Sequence, residues 1–101
     1  MWLFAMFDLP VDSAEARKSY TRFRKALIKE GFSMLQYSVY ARYCSSEELA
    51  TAHRSQIRMV VPARGQVRFL NVTDHQFGKM EIHYEKSVLP PENKPSQMLL
   101  F

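Results

Sequence analysis

Residues 2–10, Trp-Leu-Phe-Ala-Met-Phe-Asp-Leu-Pro, form an apolar stretch that ends in one carboxylate and a proline. Alternate side chains of a strand point to opposite faces of a sheet, and both faces of this stretch are apolar. Such a strand is typical of the middle of a sheet that is covered on both sides. Because Pro10 has no amide donor, it ends the strand. We therefore predict a buried central strand that ends at Asp8.

Asp8 is the residue of this stretch that needs a chemical explanation. A carboxylate at the end of a buried strand loses part of its hydration and needs hydrogen bonds, a cation or a raised pKa. Two interpretations remain open from the spacing alone. Asp8 either caps the turn that follows, or it has a metal-binding or catalytic role.

Length and composition limit the classes of protein to consider. The 101 residues suffice for one domain, and 14 Lys and Arg against 10 Asp and Glu give a net charge of +4, which favours a polyanionic partner. The one cysteine, Cys44, argues against a disulfide framework and, without a Cys/His cluster, against a zinc site. We expect a protein of the reducing cytoplasm. The apolar start is too short to span a membrane and lacks the basic segment of a signal peptide, so we expect no membrane contact.

A first helix follows Pro10. Residues 12–15 offer a helix cap, with Asp12 as a capping residue and Glu15 placed to complete a capping box, and Gly31 suits the end of the helix. The predicted core stripe has helical spacing and consists of Ala16, Tyr20, Phe23 and Leu27. The opposite face is basic, and we predict that it contacts nucleic-acid phosphates, the alternative being a merely solvated surface. Its residues are Arg17, Lys18, Arg22, Arg24, Lys25 and Lys29.

The remaining sequence predicts a second strand-helix-strand series. Residues 32–43 are too long for one strand and are split near Gln36 or Tyr37, and residues 66–72 form another strand. Between them a helix starts at Ser45 or Ser46 and ends before Pro62, with a predicted apolar face made of Leu49, His53, Ile57, Val60 and Val61. In that face, His53 is interpreted as a hydrogen-bonded core or interface residue and not as a ligand. Residues 73–76 suit one helical turn, and residues 80–85 an edge strand.

The chain ends in a linker and an apolar tail. Residues 86–95 contain three prolines and no periodicity, which is typical of a linker, and residues 97–101 contribute four apolar side chains. An exposed apolar tail is unusual in a soluble protein. We therefore divide the chain into a domain at residues 1–85 and a segment at 86–101, whose last strand is expected to pack on a partner subunit, the alternative being its own sheet.

The order strand, helix, strand, strand, helix, strand predicts a ferredoxin-like α+β fold with an extra C-terminal strand. Two helices cover one face of the sheet, whereas the large apolar residues of the other face also need burial. We expect a second copy of the chain to cover that face, so that a face-to-face homodimer forms.

Several segments together resemble a known family. They are the strand that ends Phe-Asp-Leu-Pro, the helix at residues 16–25, and the segments 31–40, 70–73 and 76–77. The combination is similar to the CRISPR-associated protein 2 family, in particular to the branch found in type II systems. The resemblance implies a role in spacer acquisition, in which a dimer bridges two dimers of the integrase, CRISPR-associated protein 1, and lies along a DNA duplex. It also implies a magnesium-dependent endonuclease whose metal is held by Asp8 of each subunit.

Magnesium commonly uses one or two carboxylates together with water and substrate phosphate, which is compatible with two Asp8 side chains. Double-stranded DNA is the expected partner, and single-stranded RNA is a second candidate. No general base is evident in the sequence, since Asp12 is the only nearby acid and suits a helix cap. Three alternatives stay open: a non-catalytic scaffold of the integrase complex, a toxin-type ribonuclease that resembles virulence-associated protein D, and an RNA-recognition module. The last lacks its Lys/Arg-Gly-Phe/Tyr signature.

Overall fold

The computed structural model describes residues 1–95, which contain six strands and three helices. In chain order they are β1 (Trp2–Asp8), α1 (Ala14–Lys29), β2 (Ser33–Gln36), β3 (Val39–Tyr43), α2 (Glu47–Arg58), β4 (Gln66–Val72), α3 (Asp74–Gly78), β5 (Ile82–Tyr84) and β6 (Ser87–Leu89).

The first strand lies in the middle of a four-stranded sheet, as its apolar sequence predicts. The strand order is β2-β3-β1-β4, and each neighbouring pair is antiparallel. With α1 and α2 inserted in the chain between these strands, this is the ferredoxin-like arrangement. The split of the long aromatic segment is also confirmed, because β2 ends at Gln36 and β3 begins at Val39.

Helix α1 begins one residue later than a cap at Asp12 requires. Ser13 is the N-cap, and its hydroxyl accepts a hydrogen bond from the Ala16 amide at 3.0 Å. The prediction of Asp12 as cap, with Glu15 completing a capping box, is therefore wrong, since Ala16 occupies the position that Glu15 would need. The core stripe is confirmed: Ala16, Phe23 and Leu27 are buried and Tyr20 is half-buried. Gly31 follows the helix with φ of +88°, a conformation that favours glycine.

Helix α2 presents a narrower apolar face than its sequence predicts. Ala50 and Ile57 are buried, whereas Leu49 is 45% exposed. The helix ends at Arg58, so that Val60 and Val61 lie beyond it and are exposed. The smaller alanine lies against the sheet and the larger leucine does not, because the helix is rotated relative to the predicted stripe.

The core lies between the sheet and α1 and α2. Leu3, Ala5 and Phe7 of β1 share it with residues of both helices. Phe7 makes edge contacts with the rings of Phe23 and Tyr20, at centroid distances of 5.2 Å and 6.0 Å. Such aromatic pairs add to the stabilisation from buried area.

The second face of the sheet is partly covered by the chain itself. Phe77 of α3 is buried and stacks on Trp2 with a centroid distance of 4.0 Å and an interplanar angle of 8°. Around this pair lie Ala41 and several half-buried apolar residues, which are Phe4, Leu35, Tyr43, Val72 and Met80. Part of the face for which we expect a second copy is therefore covered by α3, at the end near Trp2, and the homodimer stays a prediction.

The C-terminal part of the described chain forms a small hairpin. β5 and β6 pair antiparallel in a separate two-stranded sheet, with both Glu85 and Lys86 at positive φ in the turn. β6 lies inside residues 86–95, the stretch that we had assigned to a linker. The predicted tail strand at residues 97–101 lies outside the described residues. Within residues 1–95, no helix is long and apolar enough to cross a membrane.

Candidate nucleic-acid and metal site

Asp8 lies at the end of the central strand and is exposed. Its backbone is paired with Gln66 of β4, and the preceding amide, of Phe7, donates to the Ser38 carbonyl at 3.1 Å. Gly65 is also close, since a Cβ atom at this position would lie 2.5 Å from the Asp8 carbonyl oxygen. Its φ of +84° and this close approach both require glycine. Three neighbouring segments thus fix the position of the Asp8 backbone.

The expectation that Asp8 ends a strand buried on both faces is wrong for the single subunit. Asp8 shares the second sheet face with Trp2, Phe4 and Met6, but α3 covers this face only at the Trp2 end. Leu70, which is paired with Phe4, is 50% exposed. The Asp8 end of the face is therefore open to solvent in the subunit.

The Asp8 carboxylate is available to a ligand. None of the ion pairs found within residues 1–95 involves it. The same part of the chain contains no group of three or more His, Cys, Asp or Glu side chains that could hold a metal ion. A carboxylate oxygen is a donor that magnesium prefers, and magnesium does not require a cage made only of protein ligands. Asp8 therefore supplies one oxygen-donor side chain of the kind that magnesium binds.

Asp12, the other acid near this strand, is paired with a cation. Its two carboxylate oxygens accept from the Arg64 guanidinium at 3.3 Å and 3.0 Å. The hydrogen bond with Arg64 and its charge lower the pKa of Asp12. Because Asp12 is ionised and bound to Arg64, it is a poor ligand for a metal at Asp8.

The structure places the six predicted basic residues of α1 on its solvent side. Four of them form what we call the cationic strip, at successive spacings of four, three and four residues: Lys18, Arg22, Lys25 and Lys29. All four are exposed, and the ion pairs found within residues 1–95 involve none of them. No ion pair found in this part of the chain occupies these four cations, and their spacing along α1 suits a row of phosphates.

The two remaining arginines of α1 are held by neighbouring groups. Arg17 donates to the Val11 carbonyl at 3.3 Å, and Arg24 Nε donates to the Tyr40 hydroxyl at 2.9 Å. Both bonds leave most of each exposed guanidinium free. Arg17 and Arg24 therefore extend the basic surface on one side of the cationic strip.

His53 has the structural role that its position predicts. Its Nδ1 lies 2.8 Å from a carboxylate oxygen of Glu30, and both side chains are half-buried. This contact ties α2 to the end of α1. His53 therefore takes no part in the site at Asp8.

Sequence analysis missed an aromatic pair beside the site. Tyr37, in the turn between β2 and β3, stacks on Tyr20 of α1 with a centroid distance of 6.3 Å and an interplanar angle of 22°. Tyr37 is 74% exposed. Its position after the first strand of a hairpin is a sequence signal for a turn, but the contact with α1 depends on tertiary packing.

Comparisons with known proteins identify the family of this chain. The family described as CRISPR associated protein Cas2 matches residues 1–80. A protein of Parvibaculum lavamentivorans named CRISPR-associated endoribonuclease Cas2 is 52% identical over 101 residues, which is all of both chains. A protein of the same name from Flavobacterium psychrophilum is 42% identical over 99 residues, which is 98% of this chain and 85% of the relative.

A solved structure agrees in fold. The crystal structure of Streptococcus pyogenes Cas2 at pH 6.5 superposes with a TM-score of 0.62 and 16% sequence identity. The match covers 81% of this chain and 98% of the Streptococcus pyogenes chain. Neither a toxin-type ribonuclease nor an RNA-recognition module is favoured by these relatives. The family match over most of the chain and the 52% identity over its full length show that this chain belongs to the CRISPR-associated Cas2 family.

Proposed function

We propose that this chain is the nucleic-acid-binding subunit of a CRISPR spacer-acquisition complex and a magnesium-dependent endonuclease that acts as a homodimer. The observation that carries the proposal is an exposed, unpaired carboxylate at the end of the central strand of a subunit that also carries the cationic strip. The names of the relatives support an endoribonuclease activity. The integrase, CRISPR-associated protein 1, is the proposed partner, and duplex DNA the proposed ligand of the strip, with single-stranded RNA as a second candidate.

The open half of the second sheet face supports the proposed dimer. Leu70 is exposed there and Met6 is only half-buried, so these two apolar side chains are not fully covered within the subunit. A second copy that packs on this half by two-fold symmetry presents the same patch in return. Because Asp8 lies at the same end, such packing brings the two Asp8 side chains towards each other. The tail at residues 97–101 is proposed to add to the partner's sheet.

Each group of the subunit has a separate part in the proposed reaction. The cationic strip binds phosphates and holds the substrate along α1. Asp8 of each subunit would hold magnesium, which supplies an activated water molecule and charge stabilisation for phosphodiester hydrolysis. Asp8 is thus a metal ligand, and the neighbouring residues Gly65 and Ser38 hold its backbone in place.

Magnesium-dependent stability tests the shared metal site. Two facing carboxylates repel each other, so magnesium is expected to stabilise the wild-type dimer and to stabilise Asp8→Asn much less. At a magnesium concentration of about 100 times Kd, the expected gain is about 2.7 kcal/mol. Thermal unfolding in calcium-free buffer, with and without magnesium, measures this gain in stability. Asp12→Asn is the matched control, because it removes an equal charge from an acid that Arg64 already neutralises.

Two results decide the proposal. If magnesium stabilises Asp8→Asn as much as the wild type, the shared metal site is wrong. Cleavage of single-stranded RNA and of duplex DNA by wild type and Asp8→Asn then tests whether the carboxylate supports hydrolysis. Loss of cleavage in Asp8→Asn but not in Asp12→Asn is the expected outcome.

A non-catalytic scaffold is the second candidate function. It is favoured by the absence, within residues 1–95, of any three-residue acid or histidine cluster and by the pairing of Asp12 with Arg64. Reconstitution of spacer integration with the proposed integrase partner separates the two candidates. Full integration by Asp8→Asn supports the scaffold, whereas loss of integration with intact assembly supports a role for the metal site.

A further inference from the structure

The exposed Tyr37 ring is prepared for stacking by the residues behind it. A series of aromatic contacts runs from the core to the surface, because Tyr20 touches Phe7 on one side and Tyr37 on the other. Tyr37 is 74% exposed although it lies against Tyr20. A ring supported on one side keeps its orientation, while its exposed surface remains available to another planar group.

The backbone of the turn fixes the position of this ring relative to Asp8. Ser38 has a φ of +64°, a conformation that is uncommon outside glycine, and its carbonyl accepts from the Phe7 amide at 3.1 Å. Phe7 directly precedes Asp8. The Tyr37 turn is therefore bonded to the end of β1 that carries the proposed metal ligand.

Cations of α1 lie on either side of Tyr20. Arg17 precedes it by three residues and Arg24 follows it by four, so both lie on the same side of the helix as Tyr20. Burial is the main cause that raises the pKa of Tyr20, and Tyr37 adds to the increase, while the charge of Arg24 opposes it. The raised pKa keeps the Tyr20 phenol neutral, so Tyr20 places no negative charge beside a bound phosphate.

We propose that Tyr37, supported by Tyr20, is a stacking site for an unpaired base of single-stranded DNA or RNA, between the basic surface of α1 and the Asp8 end of β1. Aromatic rings next to a basic surface are the usual elements of single-strand binding, since a ring can stack on any base and cations bind the backbone. The inference deepens the proposed function and rests on it. It places the single-stranded part of a ligand at Tyr37, whereas the cationic strip suits the phosphates of a duplex.

The test compares Tyr37→Ala with Tyr37→Phe in the full chain. The probes are a short single-stranded DNA and its RNA counterpart, each with one 2-aminopurine, whose fluorescence is quenched when it stacks. Tyr37→Ala is expected to lose quenching and to bind both probes about 5-fold to about 150-fold more weakly, which corresponds to about 1–3 kcal/mol per stacked base. Tyr37→Phe should behave as the wild type, since stacking needs the ring and not the hydroxyl.

A tyrosine of another strand and a duplex ligand are the controls. Tyr84 of β5 is 62% exposed, so Tyr84→Ala removes a comparable exposed ring and should change nothing. Duplex DNA without unpaired bases should bind Tyr37→Ala as it binds the wild type. The stacking site is wrong if Tyr37→Ala keeps full quenching and affinity, or if Tyr37→Phe loses as much quenching and affinity as Tyr37→Ala. In either case the proposed function still stands, provided that the protein binds duplex DNA. If the wild type binds neither duplex nor single strand, the proposed function itself is wrong.

Discussion

Replacing Lys18 and Arg22 together with alanine should make duplex binding less sensitive to salt. The two side chains are four residues apart on α1 and exposed, so they are neighbours on the solvent side of the helix. Neither takes part in the ion pairs found within residues 1–95. Their charges are therefore available to phosphates, and each phosphate contact releases counterions from the DNA.

The size of the effect follows from the number of cations in the strip. If each of the four neutralises one phosphate, the slope of log K against log salt concentration is about −3.6 per subunit, and about −1.8 in the double variant. Between about 50 and about 200 mM salt, the wild type then loses about 150-fold in affinity and the variant about 12-fold. A difference of this size is well above the error of a titration.

Fluorescence anisotropy of a labelled duplex over a salt series measures the slope directly. The matched control is Arg58→Ala with Lys79→Ala, which removes the same charge from exposed positions at the end of α2 and just after α3. The control should keep the wild-type slope. An unchanged slope in the α1 variant would show that its basic face is only solvated, and an equal decrease in both variants would show that net charge alone governs binding.

Three further predictions concern stability and assembly. Phe77→Ala should lower the free energy of unfolding by about 3 kcal/mol or more, because it removes a buried ring stacked on Trp2, and the fluorescence of this single tryptophan during denaturation measures it. The Asp12–Arg64 pair stabilises the folded state at pH values above the ordinary Asp pKa of 3.8, and this stabilisation is lost as the pH falls through the lowered pKa of Asp12. The difference in Tm between wild type and Asp12→Asn should therefore disappear in acid. Deleting residues 96–101 should shift the equilibrium towards monomer, which sedimentation at several concentrations measures. A truncated protein that dimerises as tightly as the full chain would contradict an exchanged tail.

The parts of the fold that depend on local pattern were predictable from the sequence. The central position of β1 follows from its two apolar faces, and the core stripe of α1 follows from helical spacing. The end of α2 was misplaced because Val60 and Val61 continue the apolar spacing beyond Arg58, although the helix does not. Spacing alone cannot tell such residues from the helix that precedes them.

The candidate site residues could be named from the sequence, and their role stays a prediction, whereas their surroundings could not be foreseen. Asp8 and the basic face of α1 are recognisable from the sequence, because a carboxylate in an apolar strand and repeated cations on one helix face are both local signals. The exposure of Asp8 depends on how far α3 reaches over the sheet, and the contact of Tyr37 with Tyr20 joins residues of two separate elements. Both features depend on tertiary packing and cannot be predicted from a local sequence pattern.

The two proposed activities differ in how many subunits they need. A single subunit carries the whole cationic strip and the Tyr37 ring, but only one Asp8, and its neighbour Asp12 is bound to Arg64. Nucleic-acid binding should therefore persist in a monomer, whereas magnesium stabilisation should require the dimer. The protein without residues 96–101, studied at concentrations where it is monomeric, should keep the salt slope per subunit and lose the magnesium effect. A truncated monomer that magnesium still stabilises as it does the full chain would show that one Asp8 suffices, and the shared site would then be wrong.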